Sequence, residues 1–187
     1  MTRKNFGAKP YCYPQNVFII STYDENGNPD VMNAAWGGIS DTREFMLCLS
    51  ESHKTVKNLK KTGAFSVSMG DAKHVVACDY VGITSGNTVS NKLENAGFTV
   101  SKSEYVNAPV INELPVCVEC KVKSYSDETG MLLGEIVNVS VDESCMDGDK
   151  VDITKVQPIT FDPFNNTYHV IGEKVGNAFS DGKKLIK

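Results

Sequence analysis

The stretch LCLSESHKTVKNLKKTGAFSVSM, residues 47–69, joins an apolar run to a polar turn, a cationic segment and an alternating segment. The apolar run predicts a strand over Glu44–Ser50, and the strict alternation of Ala64–Met69 predicts a second one. Between them Thr55–Lys61 has the composition of a short helix whose first residue is a suitable N-cap, and Gly63 is a suitable C-terminal stop. The stretch therefore predicts strand, turn, helix and strand in direct succession.

Short strand signals recur along the rest of the chain. VFIIST (Val17–Thr22), the turn YDENGNPD and the segment VMNAAWGGIS predict one hairpin, and PVCVECKVKSYS, DETG and MLLGEIVNVSV predict a longer one. Helix signals are few, and the two others lie in DAKHVVACDYVG (Asp71–Gly82) and VSNKLENAG (89–97). The pattern predicts one mainly β, antiparallel domain over residues 1–187, with a few short helices at its edge. A closed or partly closed barrel is expected, because closure protects strand edges.

Composition limits the functions that are compatible with this chain. The net charge of −4, without an arginine-rich patch, argues against nucleic acid as the main partner. No apolar run approaches the roughly 20 residues of a membrane helix, and no apolar segment follows the basic start of the chain. We therefore expect a cytoplasmic protein that needs no membrane. The six cysteines are then expected to be reduced thiols.

The turn after the first quoted strand is a candidate phosphate site. Hydroxyls of Ser50, Ser52 and Thr55 and the ammonium of Lys54 cluster at the predicted start of a helix, where free N–H groups favour an anion. A solvated turn, with Thr55 serving only as a helix cap, remains the alternative. No G-x-G-x-x-G or P-loop pattern accompanies the cluster, so a dedicated dinucleotide domain is not expected.

Three other motifs have a structural and a functional interpretation. Cys117-x-x-Cys120 has the spacing of a zinc or redox pair, but it lies in a predicted strand, where positions three apart face opposite ways. GITSG (Gly82–Gly86) predicts a helix stop and a turn, or a loop whose backbone approaches a ligand. The single tryptophan, Trp36 in NAAWGG, is by itself more typical of a core residue than of a ligand platform.

The ordered set of stretches resembles one family across nearly the whole chain. NVFIIST, NAAWGGISD, the quoted stretch 47–69, CDYVGITSGNTVSNKLENAGF and YHVIGEKVGNAFSDGK are similar to the flavin reductase-like family, in the flavoredoxin-type branch of the FMN-binding split barrels. The resemblance implies an antiparallel, Greek-key-like split β-barrel that binds FMN. It also implies a homodimer with the flavin at the subunit interface.

The resemblance implies a set of cofactor-binding residues. They are the phosphate-binding turn Ser50, Ser52, His53, Lys54 and Thr55, the ring-bordering segment Asn33, Ala34, Ala35 and Trp36, the closing insertion with Ser85, Gly86 and Lys92, and the late strand with Tyr168 and His169. Many relatives have an arginine near the position of His53, and here His53 and Lys54 stand in its place. No catalytic side chain is assigned, because the chemistry would belong to the flavin.

The leading functional hypothesis is an NAD(P)H-dependent FMN oxidoreductase in which hydride passes to the flavin N5 and electrons pass onward. A non-enzymatic FMN electron carrier that depends on a redox partner protein is the alternative. A barrel that senses or binds without a cofactor, and a metal–thiolate protein built on Cys117 and Cys120, are more distant hypotheses. The sequence does not choose between NADH and NADPH or name the final electron acceptor.

Overall fold

A computed structural model describes residues 1–186 of the chain. Within this range the strands are β1 (Gln15–Asn16), β2 (Phe18–Tyr23), β3 (Pro29–Ala34), β4 (Gly37–Asp41), β5 (Glu44–Cys48), β6 (Ala64–Met69), β7 (Val100–Lys102), β8 (Pro109–Ile111), β9 (Val116–Tyr125), β10 (Met131–Val141), β11 (Met146–Asp147), β12 (Lys150–Val151), β13 (Ile159–Asp162) and β14 (Thr167–Val170).

The helices are short. They are α1 (Lys54–Thr62), α2 (Val75–Ile83), α3 (Lys92–Asn95) and α4 (Ile153–Val156), together with 3-10 turns at Glu143–Cys145 and Asp181–Leu185. None of the helices in the described residues is long and apolar enough to cross a membrane.

Seven strands form one antiparallel sheet in the order β3-β2-β6-β9-β10-β5-β4. Its two edge strands, β3 and β4, are joined by only Ala35 and Trp36. The three residue steps from Ala34 to Gly37 span at most about 11 Å, so the sheet must curl to bring the end of β3 close to the start of β4. The result is a barrel split along the line between β3 and β4, and this confirms the predicted antiparallel, barrel-like domain.

The inside of the barrel is the main core. Alternate residues of the strands point inward, among them Phe18 and Ile20 on β2 and Phe65 and Val67 on β6. Helix α1 closes one end of this core with Val56 and Leu59, which are both fully buried. Burying an aliphatic side chain of this size stabilises the fold by about 1.5–3 kcal/mol. The packing therefore fixes the start of α1 against the barrel.

A second apolar cluster covers the outer face of β2 and β3. It combines the outward-facing residues of these strands with helix α2 and the segment around β7 and β8, and includes Ile19, Val31, Cys78, Val81 and Ile111. Because β2 is covered on both faces, residues 17–20 (VFII) form a continuous apolar run rather than an alternating one. The three-stranded sheet β1-β13-β14 lies beside this cluster and contributes Ile159.

Most predicted elements are confirmed, with small shifts at the helix starts. Strand β6 has the predicted bounds, and the predicted hairpins are β2-β3 and β9-β10. The helix predicted over Asp71–Gly82 begins only at Val75. The reason is local: the Asp71 carboxylate accepts the backbone N–H of His74 at 2.8 Å, which forms a turn before the helix.

Candidate functional site

A first cavity of about 150 Å³ lies where α1 begins, next to β3, the end of α2 and the start of α3. The loop between α2 and α3 forms its rim. From the residues singled out in the sequence, the fold brings together here His53, Lys54, Thr55, Ser85, Gly86 and Lys92. They come from positions up to 39 residues apart, at the start of α1, in the loop after α2 and on α3, and the packing of these helices against β3 places them together.

The N-terminus of α1 is uncapped at this cavity. His53 occupies the cap position in an extended conformation, and its side chain makes no capping hydrogen bond. The first N–H groups of an α-helix have no partner within the helix and carry a partial positive charge. No acidic residue lies in the first turn of α1 to offset that charge. The helix start is therefore suited to an anion.

The prediction that Thr55 caps α1 is wrong. Thr55 lies inside the helix, is 1% exposed, and donates its hydroxyl hydrogen to Oδ2 of Asp30 on β3 at 2.7 Å. The tertiary partner outcompetes the local backbone, because the side chain points toward the barrel. With its hydrogen engaged, Thr55 holds α1 against β3 instead of donating to a ligand.

Gly86 lets the loop backbone lie directly on Asp30. A Cβ atom at this position would be 2.0 Å from Oδ1 of Asp30 and 3.2 Å from Cδ of Lys54. Both approaches are shorter than the distances at which carbon atoms pack in protein interiors. Only glycine allows the rim of the first cavity to close this tightly. The sequence expectation of a loop with a close backbone approach thus has a structural basis at Gly86.

Lys92 is the most unusual residue of the first cavity. It is 4% exposed, and its ammonium group makes neither a hydrogen bond nor an ion pair with any of residues 1–186. Burial lowers its pKa, the charge of Asp30 acts in the opposite direction, and nearby Lys54 lowers the pKa further. A buried cation without a partner is costly in a stable protein. Such a group indicates that an anion completes the site.

The charges of the first cavity do not balance. Two lysines, Lys54 and Lys92, face a single carboxylate, Asp30, so an excess of one positive charge remains beside the start of α1. The pKa of His53 is lowered, first by burial and second by Lys92, while Asp30 raises it. His53 is therefore neutral at pH 7 and adds a hydrogen-bonding ring without adding charge.

Asn87 fastens the rim loop to the turn before α1. Its side-chain Nδ2 donates to the carbonyl of Ser52 at 3.0 Å, and its Oδ1 accepts from the ammonium of Lys57 at 2.9 Å. Ser85 lies next to it and has its hydroxyl oxygen 3.3 Å from the backbone nitrogen of Asn87. These contacts fix the distance between the two walls of the first cavity.

The two serines of the turn are not in the first cavity. Ser50 lines a third, shallower cavity of about 480 Å³, together with Trp36 and with His53, which borders both cavities. The hydroxyl oxygens of Ser50 and Ser52 are 2.9 Å apart. Trp36 is 58% exposed, so the interpretation of this tryptophan as a core residue is wrong. Its position in the two-residue link between the barrel edges leaves no interior for its ring.

A second cavity, of about 240 Å³, shares Gly82 and Ile83 with the first. Asn33, Ala35 and Tyr168 line it, whereas Ala34 points into the barrel core. Nδ2 of Asn33 donates to the carbonyl of Cys78 at 2.9 Å. The hydroxyl of Tyr168 donates to Oδ1 of Asp79 at 2.8 Å, and burial, followed by this hydrogen bond, raises the pKa of Tyr168.

His169 does not accompany Tyr168 into the second cavity. Successive residues of a strand point to opposite faces, and His169 is exposed with Nε2 2.9 Å from the hydroxyl of Thr167. Cys117 and Cys120 lie on β9 as predicted, and burial raises the pKa of these thiols to about 11 and about 12. In residues 1–186 no group of three or more potential ligands could hold a metal ion.

Residues 11–158 match the family model described as flavin reductase like domain. The chain belongs to the flavin reductase-like family. Among solved structures, the flavoredoxin of Desulfovibrio vulgaris (Miyazaki F) is similar with a TM-score of 0.92 and 35% identity, over 97% of this chain and all of that chain. The resemblance drawn from the sequence is confirmed, and with it the split-barrel fold.

Two further relatives agree with this placement. The flavoredoxin of Methanosarcina acetivorans superposes with a TM-score of 0.87 at 25% identity, over 99% of this chain and 100% of the other. An uncharacterized protein of Aquifex aeolicus (strain VF5) is 27% identical over 156 residues, which is 78% of this chain and 79% of the relative. The similarity therefore extends over nearly the whole fold.

Sequence reasoning missed three polar residues of the candidate site: Asp30, Asp79 and Asn87. Asp30 lies in YDENGNPD, where an aspartate before the strand is indistinguishable from a turn former. Asp79 lies on α2, and the sequence predicts this helix only from the spacing of its apolar residues. Asn87 lies in a loop, and no local pattern indicates that it joins two distant segments. Only the assembled fold reveals their roles.

Proposed function

We propose that this chain is an FMN-binding flavoprotein whose first cavity holds the phosphate of the cofactor. The observation that carries the proposal is Lys92, a buried cation with no partner among the described residues, next to the uncapped start of α1. A phosphate monoester carries up to two negative charges and accepts hydrogen bonds on every side. The cavity offers one excess positive charge and free N–H groups, so the group fits.

Each residue of the first cavity has a distinct part in this proposal. Lys92 and Lys54 supply charge, the N–H groups at the start of α1 donate hydrogen bonds, and neutral His53 provides a further ring nitrogen. Asp30 is a positioning residue that orients Thr55. Gly86 and Ser85 close the rim. A volume of about 150 Å³ takes a phosphate group, and the rest of the cofactor extends beyond it.

The remaining cofactor-binding assignments are proposed from the family. Asn33, Ala35 and Tyr168 line the neighbouring second cavity, Trp36 and Ser50 line the third, and Ser52 is within hydrogen-bond distance of Ser50. Bound FMN would supply the redox chemistry, accepting and passing on electrons. The residues of this chain anchor the phosphate, fix the loop through Asn87 and exclude water from the buried charges. Electrostatic stabilisation by oriented N–H groups is their contribution.

The proposed activity is oxidoreduction with NAD(P)H as electron donor. The family supports this as a flavin reductase-like activity. The alternative, an electron carrier without its own nicotinamide reaction, is favoured by a specific observation: both similar structures named above are flavoredoxins. In that case a redox partner protein would deliver the electrons.

We also propose a homodimer. The chain exposes apolar side chains that a monomer would leave in water, including Trp36, Val175 and Phe179. Isolated exposed apolar residues are common, but a run of them in one terminal segment supports contact with a second copy.

Anaerobic flavin titration separates these functions. The purified protein is mixed with FMN, and NADH, NADPH and finally dithionite are added while flavin absorbance is followed. Bleaching by a nicotinamide nucleotide, well above the rate without protein, supports the reductase. Binding of FMN that only dithionite bleaches supports the carrier. Failure to bind FMN contradicts both, and a Lys92→Met variant, which we expect to bind FMN much more weakly than the wild type, is the control for site-specific binding.

A further inference from the structure

The N-terminal arm, residues 1–14, is fastened to the fold by aromatic rings. The ring centroids of Tyr11 and Tyr13 lie 4.2 Å and 5.1 Å from that of Phe164, in the turn between β13 and β14. The ring of Phe6 meets those of Tyr11 and Phe164 edge-on, at 5.9 Å and 6.2 Å. Aromatic pairs at these distances attract one another. The arm therefore has a defined position on the surface.

A groove of about 510 Å³ lies between the arm and the β13-β14 turn. This arm groove combines aromatic rings with cations, namely Phe6, Tyr11, Phe164, Lys4 and Lys9. Its volume is within the range of about 300–1,000 Å³ that is usual for small-molecule sites. Phe6 is 53% exposed and Phe164 is 38% exposed. Exposed aromatic rings gathered in one concave place are typical of a binding site.

The charge around the arm groove has one sign. Residues 1–23 contain three cations and no carboxylate, although the whole chain has a net charge of −4. Lys4 and Lys9 form no ion pair in the part of the chain that the structure describes, so both remain available to a ligand. Asp162, in the adjoining turn, is buried and accepts the hydroxyl hydrogen of Tyr13. The arm groove therefore favours an aromatic ligand that carries negative charge.

The arm groove lies beside the second cavity but shares no residue with it. Phe161 on β13 lines the second cavity, and Phe164 follows it by three residue steps, which span at most about 11 Å. Strand β1, which continues the arm, pairs with β13 through Gln15 and Phe161. A ligand in the arm groove is therefore close to the second cavity without occupying it.

We propose that the arm groove binds the base and the phosphate of a free nucleotide. The base stacks on the exposed rings, and the phosphate contacts the ammonium groups of Lys4 and Lys9. An aromatic cation would be repelled by the two lysines, and an uncharged ring would leave them unused. That the nucleotide belongs to an electron donor of the flavin rests on the proposed function; the site itself does not.

Three related probes test this directly: AMP, adenosine and ribose 5-phosphate, titrated by calorimetry into protein that holds one equivalent of FMN. AMP is expected to bind at least about tenfold more tightly than adenosine, because adenosine lacks the charge-assisted contacts of the phosphate. It is expected to bind at least about fivefold more tightly than ribose 5-phosphate, because a base stacked on an aromatic ring contributes that factor or more. Equal affinity for AMP and either fragment, or no binding of AMP, overturns the proposal.

A nucleic acid offers the same bases and phosphates, and single-stranded oligo(dA) separates it from a free nucleotide. It should bind no more than about tenfold more tightly than AMP, because a chain with a net charge of −4 repels a polyanion outside the arm groove. Much tighter binding would assign the arm groove to nucleic acid and overturn the proposal.

Variants locate the binding. Lys4→Met combined with Lys9→Met should reduce AMP affinity at least about tenfold and leave adenosine affinity unchanged. Lys102→Met combined with Lys150→Met, which alters two exposed lysines on β7 and β12, should change neither. Phe6→Ser should weaken binding of AMP and leave that of ribose 5-phosphate unchanged. Unchanged AMP affinity in the variant of Lys4 and Lys9 overturns the proposal.

Two further measurements separate the arm groove from the phosphate site of the first cavity. Lys92→Met should bind AMP as tightly as the wild type, and the variant of Lys4 and Lys9 should bind FMN as tightly as the wild type, so each site can fail alone. In an amide ¹⁵N–¹H NMR titration of the wild type, AMP should shift the signals of Phe6 and Phe164. Loss of AMP binding in Lys92→Met, or shifts confined to other parts of the protein, contradicts the assignment.

Discussion

At the scale of single residues, Lys92 of the proposed phosphate site favours binding at the expense of stability. The residue is 4% exposed and its ammonium lacks a partner in residues 1–186, so the protein without ligand bears a largely buried charge that no ion pair compensates. Residues of this kind are retained where function requires them. Lys60 on α1 is a suitable comparison, because its ammonium is exposed and forms an ion pair with Oδ1 of Asp127 at 2.6 Å.

Replacing Lys92 should therefore stabilise the protein without ligand. Lys92→Met keeps the length of the side chain and removes the buried charge, so the free energy of unfolding should rise by about 1–3 kcal/mol at pH 7. Urea unfolding measures this, with Lys60→Met as the control that should not be stabilised. A loss of stability in Lys92→Met would show that the ammonium has a partner.

The difference in the free energy of unfolding between Lys92→Met and the wild type should depend on pH. The pKa of Lys92 in the folded protein lies below the unfolded value of 10.5, so the unfolded state binds more protons in between. The wild type therefore gains stability as pH rises through the folded pKa toward 10.5. Lys92→Met has no ammonium to titrate and lacks this increase. The difference in the free energy of unfolding between the two proteins should therefore shrink with rising pH. A constant difference would contradict this.

At the scale of elements, the strands were readable from local patterns, and the family resemblance named most residues of the first cavity, but the contacts of Asp30 in that cavity were not readable. The alternation of apolar and polar residues predicts the bounds of β6, and the turn residues predict both hairpins, because these signals are local in the sequence. The first cavity joins β3, α1, the end of α2 and α3, and no local pattern indicates that Asp30 and Lys92 meet. The same tertiary contact explains the wrong cap assignment, because Asp30 engages the hydroxyl of Thr55.

The rim of the first cavity depends on Gly86. Gly86→Ala would place a Cβ atom on Oδ1 of Asp30, so the loop must move outward. We expect a loss of about 1–3 kcal/mol in stability and a fall in FMN affinity of at least about tenfold. Denaturant unfolding and fluorescence titration measure the two effects. Gly172→Ala is the matched control, since a Cβ there meets no atom within 4 Å, and equal behaviour of the two variants would contradict the account.

The turn between β13 and β14 depends on Asp162. It accepts hydrogen bonds from the hydroxyl of Tyr13, the backbone of Phe164 and the side chain of Asn165. These bonds, with Tyr13 the largest cause, lower the pKa of Asp162 to about 2. The charged form therefore stabilises the fold above the unfolded pKa near 3.8, and this contribution is lost as pH falls through about 2.

Asp162→Asn should accordingly lower the urea midpoint at pH 7, and the difference from the wild type should diminish between pH 4 and pH 2. Asp147→Asn, in the exposed hairpin of β11 and β12, should leave the midpoint unchanged at both pH values. A pH-independent difference would show that Asp162 acts through shape and not through charge.

At the scale of the whole molecule, the end of the described chain lies outside both apolar clusters. Val175 and Phe179 are fully exposed, at 103% and 98%, and Leu185 and Ile186 are largely so. A segment with this composition gains apolar burial only by contact with another surface. In the proposed homodimer the second copy provides it.

Light scattering tests this proposal. The wild type should have twice the chain mass, and a Val175→Ser, Phe179→Ser double variant should shift toward the monomer, because about 0.8 kcal/mol is lost for each buried CH₂ group removed. A Val151→Ser, Ile153→Ser variant, which alters two exposed apolar residues elsewhere, should stay dimeric. A monomeric wild type would contradict the homodimer.

The central claim is that the first cavity recognises the phosphate of FMN, and riboflavin, which lacks that phosphate, tests it most directly. Fluorescence titration should give FMN an affinity at least about 100-fold above that of riboflavin in the wild type, since two or more charge-assisted hydrogen bonds of about 1.5–3 kcal/mol each distinguish the ligands. In Lys92→Met most of that preference should vanish. Equal affinity for FMN and riboflavin in the wild type, or an undiminished preference in Lys92→Met, would contradict the account.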